Sequence, residues 1–99
     1  MPYIDQKARP KLDGLMDPLI DHIRSLPLEE QDGTLDYVLT RMLMSLYEPP
    51  FFNFNRALGV LTATALEYYR VVVAPYEEEK IEQFGEVREK RKPGKTKAA

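Results

Sequence analysis

The sequence predicts an all-α protein whose three helices form a bundle that self-association completes. Apolar residues recur at spacings of three and four along most of the chain, which is the periodicity of amphipathic helices. Prolines separate these periodic stretches, and no stretch of useful length alternates as a strand would. With 99 residues, the chain has room for one small domain, which we place at residues 1–87.

The first helix is predicted at about residues 10–26, where Pro10 can occupy the first turn. Gly14 and Pro18 interrupt its apolar stripe, because the Pro18 ring meets the carbonyl of residue 14. The pattern fits one kinked helix or a short turn followed by a helix capped by Asp17. Pro27 ends it. The stripe comprises Leu12, Leu15, Met16, Leu19, Ile20, Ile23 and Leu26.

The second helix is predicted at about residues 32–48, with Asp32 as its N-cap. Pro49-Pro50 ends it, because the residue before a proline avoids the helical region. Its core stripe comprises Leu35, Val38, Leu39, Met42, Leu43 and Leu46.

The third helix is predicted at about residues 53–84, with Asn53 as its cap and Gly85 after its end. Pro75 removes one hydrogen bond and should bend this helix rather than end it, because an apolar face continues beyond it. Seven residues follow spacings of 4, 3, 4, 3, 4 and 4 along one side, and we call them the long-helix seam: Phe54, Leu58, Leu61, Ala65, Tyr68, Val72 and Tyr76.

Self-association is expected from the composition of this third helix. Between Asn55 and Glu77 it carries few polar residues, and a helix that is apolar around most of its circumference needs cover on several sides. Two shorter helices can hardly supply that cover. We therefore expect a homodimer or a higher oligomer.

Composition excludes several classes of protein. Without cysteine the chain can form no disulfide, zinc–thiolate site or cysteine nucleophile. No run of eighteen apolar residues and no signal-peptide pattern is present, so we expect a cytoplasmic protein that makes no membrane contact. Residues 1–85 carry eight Lys or Arg against fourteen Asp or Glu, which argues against nucleic-acid binding. Residues 88–99 are predicted to form a basic flexible tail, whose contact with nucleic acid would be weak.

Several segments resemble, in their order along the chain, a family of small proteins of unknown function from bacteria and phages. They are MPYI, RPKLD, GTLDY (33–37), NRALGVL (55–61), EYYR (67–70) and VVAPYE (72–77). The resemblance covers about residues 1–87. Members often carry Glu at the position of Thr62 and Arg at that of Val71, so a site using those charges would be altered here. The resemblance implies no activity, and phage association suggests host interaction by analogy only.

Candidate chemistry rests on few residues. The lone histidine, His22, has no partner for catalysis, and we predict no catalytic residue. Glu67 and Asp36 would be the carboxylates of a metal-dependent nucleotide pyrophosphatase of the MazG type, but the paired acidic motifs of that class are incomplete here. We expect no metal and no cofactor. Tyrosines and arginines that could gather across helices two and three are the better candidates for ligand or partner contact: Arg56, Arg41, Tyr37, Arg70 and Tyr69.

These residues support two kinds of binding. Arg and Tyr are enriched at protein interfaces, which favours a non-enzymatic oligomeric binding module acting through a protein partner. Arginine also binds phosphates, and so a small anionic ligand such as a nucleotide signal is the alternative. The pyrophosphatase ranks third. Enzymatic activity is thus uncertain, and its absence is favoured.

Overall fold

The structure is a computed structural model that describes residues 4–86. In that range it contains three helices and no strand, which confirms the predicted all-α fold. The first helix, α1, spans Arg9–Ser25 and follows a short 3-10 turn, and the second, α2, spans Leu28–Leu46. The tail predicted at 88–99 lies outside the described residues.

The third helix runs from Phe51 to Phe84 and has three segments. α3 spans Phe51–Tyr68, a π-helical turn spans Tyr69–Val73, and α4 spans Ala74–Phe84. The chain divides into two units, with the boundary between Val60 and Leu61.

In the first unit, α1 and α2 form a helical hairpin around Pro27. α1 continues through Pro18 as one helix, so the alternative of a separate capped turn is wrong. The Gln31 side chain donates from Nε2 to the carbonyl of Leu26 at 3.0 Å and to that of Arg24 at 3.4 Å. It thereby satisfies carbonyls that the end of α1 leaves without a helical partner.

The beginnings of α2 and α3 differ from prediction. α2 begins at Leu28 rather than Asp32, because Pro27 adopts an extended conformation that starts the helix, and Glu29 and Glu30 complement its dipole in the first turn. α3 begins at Phe51 rather than Asn53. The Asn53 side chain does not cap the helix but donates from Nδ2 to the carbonyl of Glu48 at 3.0 Å.

A π-helical turn lies just before Pro75, where the sequence predicts a bend. Proline has no N–H, and its ring would meet the carbonyl four residues earlier, that of Val71. The helix widens before this point, where the N–H of Ala74 donates to the carbonyl of Tyr69, five residues back. Beyond it, α4 continues to Gly85, whose φ of 85° and N–H bond to the Ile81 carbonyl at 2.8 Å confirm the predicted end.

Burial is minimal across the described residues. Ala57, which is 8% exposed, is the one buried residue among them, and no large side chain there is fully buried. A few apolar residues of the hairpin are half-buried, such as Leu19, Ile23 and Val38. Each helix therefore keeps most of its apolar stripe in contact with solvent.

Candidate functional site

Arg56 lies at the joint between α2 and α3. Its guanidinium stands over the Tyr47 ring, 5.4 Å from the centroid, and donates to Asn53 Oδ1 at 3.3 Å. The sequence has no acid within one turn of Arg56, which we predicted to contact a ligand or a partner. The structure supplies an aromatic face instead, which is a favourable contact for a cation.

Arg70 and Tyr69 bind carboxylates of their own helix in the second unit. Arg70 Nη2 donates to Glu67 Oε1 at 2.7 Å, as the spacing of three residues predicts. The Tyr69 hydroxyl donates to Glu77 Oε1 at 2.5 Å, across the π turn. That hydrogen bond raises the pKa of Tyr69 above its ordinary value, and the negative charge of Glu77 adds to the effect.

We expect Glu77→Gln to lower the pKa of Tyr69 toward its ordinary value, because the substitution removes both the carboxylate acceptor and its charge. The Tyr69–Glu77 contact should persist below about pH 10 and be lost as the pH rises through the raised pKa of Tyr69. Tyrosinate absorbance followed through an alkaline titration measures this. Glu78→Gln is the matched control, since Glu78 acts on Tyr69 through charge alone and least of all. Equal shifts from both variants would contradict the assignment.

Tyr37 and Arg41 lie one turn apart on α2 in the first unit. Tyr37 is 66% exposed, and Arg41 is exposed as well. The structure thus places the five predicted site residues in separate local groups: Tyr37 and Arg41 on α2, Arg56 at the joint, and Tyr69 and Arg70 on the second unit. Their assembly into one site stays a prediction. Tyr47 could not be found from the sequence, since eight residues, Pro49-Pro50 among them, separate it from Arg56.

Candidate metal ligands do not cluster in the part of the chain that the structure describes. Within residues 4–86, no group of three or more His, Asp and Glu side chains could hold a metal ion. Glu67 is engaged with Arg70, and Asp36 is exposed on α2. His22 is exposed on α1.

The face of α4 combines aromatic and charged groups. Lys80 Nζ lies 5.2 Å from the Tyr76 ring centroid and 5.7 Å from that of Phe84. A shallow depression beside them is lined by Tyr69, Glu77 and Ile81 among others. Tyr76, Lys80 and Phe84 follow one another at spacings of one helical turn. Their contacts therefore hold the three side chains on one face of α4.

Many of the exposed side chains that a partner could contact are large and apolar. Large hydrophobic side chains on every helix are more than a third exposed, up to 74% for Leu46 and 79% for Phe84. On α1 and α2 they include Leu12, Leu15, Met16, Ile20, Leu35, Leu39, Met42 and Met44. So many exposed large apolar side chains favour an interaction surface over a solvent-facing one.

By length and composition, one helix among the described residues could cross a membrane. It is Phe51–Phe84, whose qualifying 18-residue window has a mean hydropathy of 1.3 and is 6% buried. Core helices of soluble proteins meet the same criterion, and so the finding is weak support for a membrane span. The expectation of no membrane contact is untested.

Comparison with known proteins places the chain in a family. A family model described as a domain of unknown function, DUF6899, matches residues 1–87. The chain belongs to this family. No curated protein and no solved structure matches it significantly. The resemblance drawn from the sequence is therefore correct for a family of unknown function, and the family description assigns no activity.

Proposed function

We propose that the protein is a non-enzymatic, self-associating helical module that works by binding proteins, beginning with copies of itself. One observation carries the proposal: among residues 4–86 only Ala57 is buried, while every helix exposes its apolar stripe. The bacterial or phage accessory role suggested by the family resemblance is the setting we propose for it.

The energetics of folding require a cover for these stripes. Ordering the backbone costs about 1–2 kcal/mol per residue, and burying a large apolar side chain returns about 1.5–3 kcal/mol. A chain that leaves such side chains exposed on all its helices loses most of this stabilising free energy of burial. A folded state of the usual marginal stability therefore needs a second surface to bury them.

Protein is a better cover than lipid for this arrangement. A membrane could enclose the helix Phe51–Phe84, but it would leave the exposed stripes of α1 and α2 uncovered. It would also take the Glu67–Arg70 ion pair, which lies inside the apolar stretch, into hydrocarbon at considerable cost. Other helices can cover all three stripes in the same way.

Exposed tyrosine and arginine side chains further favour a protein partner. Tyr37 and Tyr69 are both more than half exposed, and these residue types are enriched at protein interfaces. Of the three arginines on which an anionic ligand would depend, Arg56 and Arg70 already contact Tyr47 and Glu67, and Arg41 is exposed on α2. A nucleotide-type ligand and a pyrophosphatase activity therefore remain the less supported alternatives.

Sedimentation equilibrium, combined with thermal unfolding at several protein concentrations, tests the proposal. We expect a dimer or higher oligomer at micromolar concentration, and a midpoint that rises with concentration because association stabilises the folded state. A folded species of 11.5 kDa with a concentration-independent midpoint would overturn it. Quantitative co-sedimentation of the helical protein with neutral phospholipid vesicles would favour the membrane instead.

A further inference from the structure

The long-helix seam is an apolar surface that a partner could cover. Its six large members are each more than a third exposed: Phe54, Leu58, Leu61, Tyr68, Val72 and Tyr76. By contrast, the half-buried residues of the same stretch lie off the seam, at Ala63, Glu67, Val73 and Ala74. The large seam side chains are therefore all exposed, and the residues that are half-buried lie on other sides of this helix.

The spacing of the seam is that of a coiled coil. Steps of four and three alternate from Phe54 to Val72, which places Leu58, Ala65 and Val72 at one core position of a heptad and Phe54, Leu61 and Tyr68 at the other. Lipid imposes no such spacing, whereas knobs-into-holes packing against another helix requires it. The pattern therefore indicates a helical partner.

The π turn accounts for the one irregular step. The heptad would place the residue after Val72 at position 75, which is proline, but the seam continues at Tyr76. The extra residue falls at the wide turn Tyr69–Val73, and a π turn accommodates one added residue. Tyr76 thus takes the place on the seam that residue 75 would hold in a regular helix.

Between positions 54 and 73, charge is confined to the side of the helix away from the seam. Arg56, Glu67 and Arg70 are the charged residues between positions 54 and 73. At about 100° per residue, all three lie far around the helix from the seam. A partner seated on the seam would desolvate none of them, and the positions that flank it are uncharged.

The sizes of the seam residues indicate how two copies meet. In an antiparallel pair, Ala65 faces Leu61 of the second copy, Val72 faces Phe54, and Leu58 faces Tyr68. Each layer then joins a smaller side chain to a larger one, which is how facing core positions fill space. A parallel pair would instead set Ala65 against Ala65 and Tyr68 against Tyr68. The alanine layer would then be underfilled, and the tyrosine layer would be overcrowded.

We propose that a second copy of the chain pairs antiparallel with this helix along the long-helix seam, with Leu61 and Ala65 in the central layers. The inference rests on the proposed function and specifies its interface. At about 150–250 Å² for each large side chain, the exposed fractions of the six seam residues amount to roughly 600 Å² per copy. Flanking residues such as Thr64 bring this near the roughly 800 Å² per partner of a standard interface.

Two matched substitutions test the seam. Leu61 is 37% exposed and lies on it, whereas Leu66 is 67% exposed and lies about 110° around the helix from it. Leu61→Asp should weaken self-association at least about 100-fold in sedimentation equilibrium, because it places a charge in a central layer. Leu66→Asp should change it less than about threefold. If the more exposed Leu66 is the sensitive position, the seam is the wrong surface.

Cysteine cross-linking tests the seam and the direction of pairing without introducing a charge, since the chain has no cysteine of its own. Mixed Leu61→Cys and Ala65→Cys variants should form a disulfide-linked dimer in a glutathione redox buffer. Neither variant should do so alone, because four residues of helix add about 6 Å along the axis and take like positions beyond disulfide reach.

The outcomes separate this inference from the proposed function. Cross-linking of each variant with itself would overturn the antiparallel arrangement, and equal cross-linking by Leu66→Cys would overturn the seam. Either result would leave self-association standing if the unmodified chain still sediments as an oligomer. A monomeric unmodified chain would overturn both.

Discussion

Pro75→Ala should raise the midpoint of thermal unfolding by about 5–15 °C and convert the π turn into regular α-helix. Proline in a helix interior costs up to about 3 kcal/mol, and the widened turn at Tyr69–Val73 recovers only part of that. Restoring the N–H lets residue 75 donate to the Val71 carbonyl. A gain of about 1–2 kcal/mol corresponds to the stated rise for a chain of this size.

The change in hydrogen bonding is measurable residue by residue. In the variant, the amide of Ala74 should bond the carbonyl of Arg70 rather than that of Tyr69, which hydrogen exchange and NMR contacts across this turn report. Removing the extra residue of the wide turn rotates α4 by about 100°. Tyr76 then leaves the long-helix seam, but it is the last seam residue, and the loss should offset only part of the gain.

Pro18→Ala is the matched control, because Pro18 also lies inside a helix but has no π turn before it. It should raise the midpoint without altering the hydrogen-bond pattern of its neighbours. If Pro75→Ala kept the wide turn, the proline would not be its cause. A lower midpoint would mean that the wide turn is required for packing.

The order and extent of the helices follow from sequence because proline and glycine act locally. Pro49-Pro50 ends one helix, Gly85 ends another, and the apolar pattern beyond Pro75 predicts that the helix continues. The residues at which α2 and α3 begin could not be predicted from the sequence. Asp32 and Asn53 are good caps by type, but Pro27 starts α2 earlier, and the Asn53 amide is used by the Glu48 carbonyl.

The candidate site was predictable only where its contacts lie within one turn. The pair of Glu67 and Arg70, three residues apart, follows from helix geometry and is present at 2.7 Å. The contact of Arg56 with Tyr47 depends on how the chain turns between two helices, and periodicity carries no information about that. The π turn was missed for a related reason, since a proline signals a lost hydrogen bond but not the rearrangement that absorbs it.

Ala57→Asp should lower the midpoint of thermal unfolding by about 10–25 °C. Ala57 is 8% exposed and lies one turn beyond Asn53, whose side chain ties the first turn of α3 to Glu48, two residues after α2 ends. A carboxylate at this position would lose its hydration without gaining a counter-ion. Placing an unpaired charge in a buried site costs about 2–4 kcal/mol, which gives the stated fall at fixed protein concentration.

Two controls isolate burial from other effects of the substitution. Thr40→Asp, at an exposed position within α2, measures what aspartate costs by helix propensity alone, at most about 0.7 kcal/mol. Ala57→Ser keeps the side chain small and uncharged and should cost about 1 kcal/mol or less. If Ala57→Asp were no worse than Thr40→Asp, Ala57 would be in contact with water, and the joint between α2 and α3 would be looser than the Asn53–Glu48 hydrogen bond implies. A large loss confined to Ala57→Asp would show that this joint is packed closely enough to keep water from the side chain at position 57.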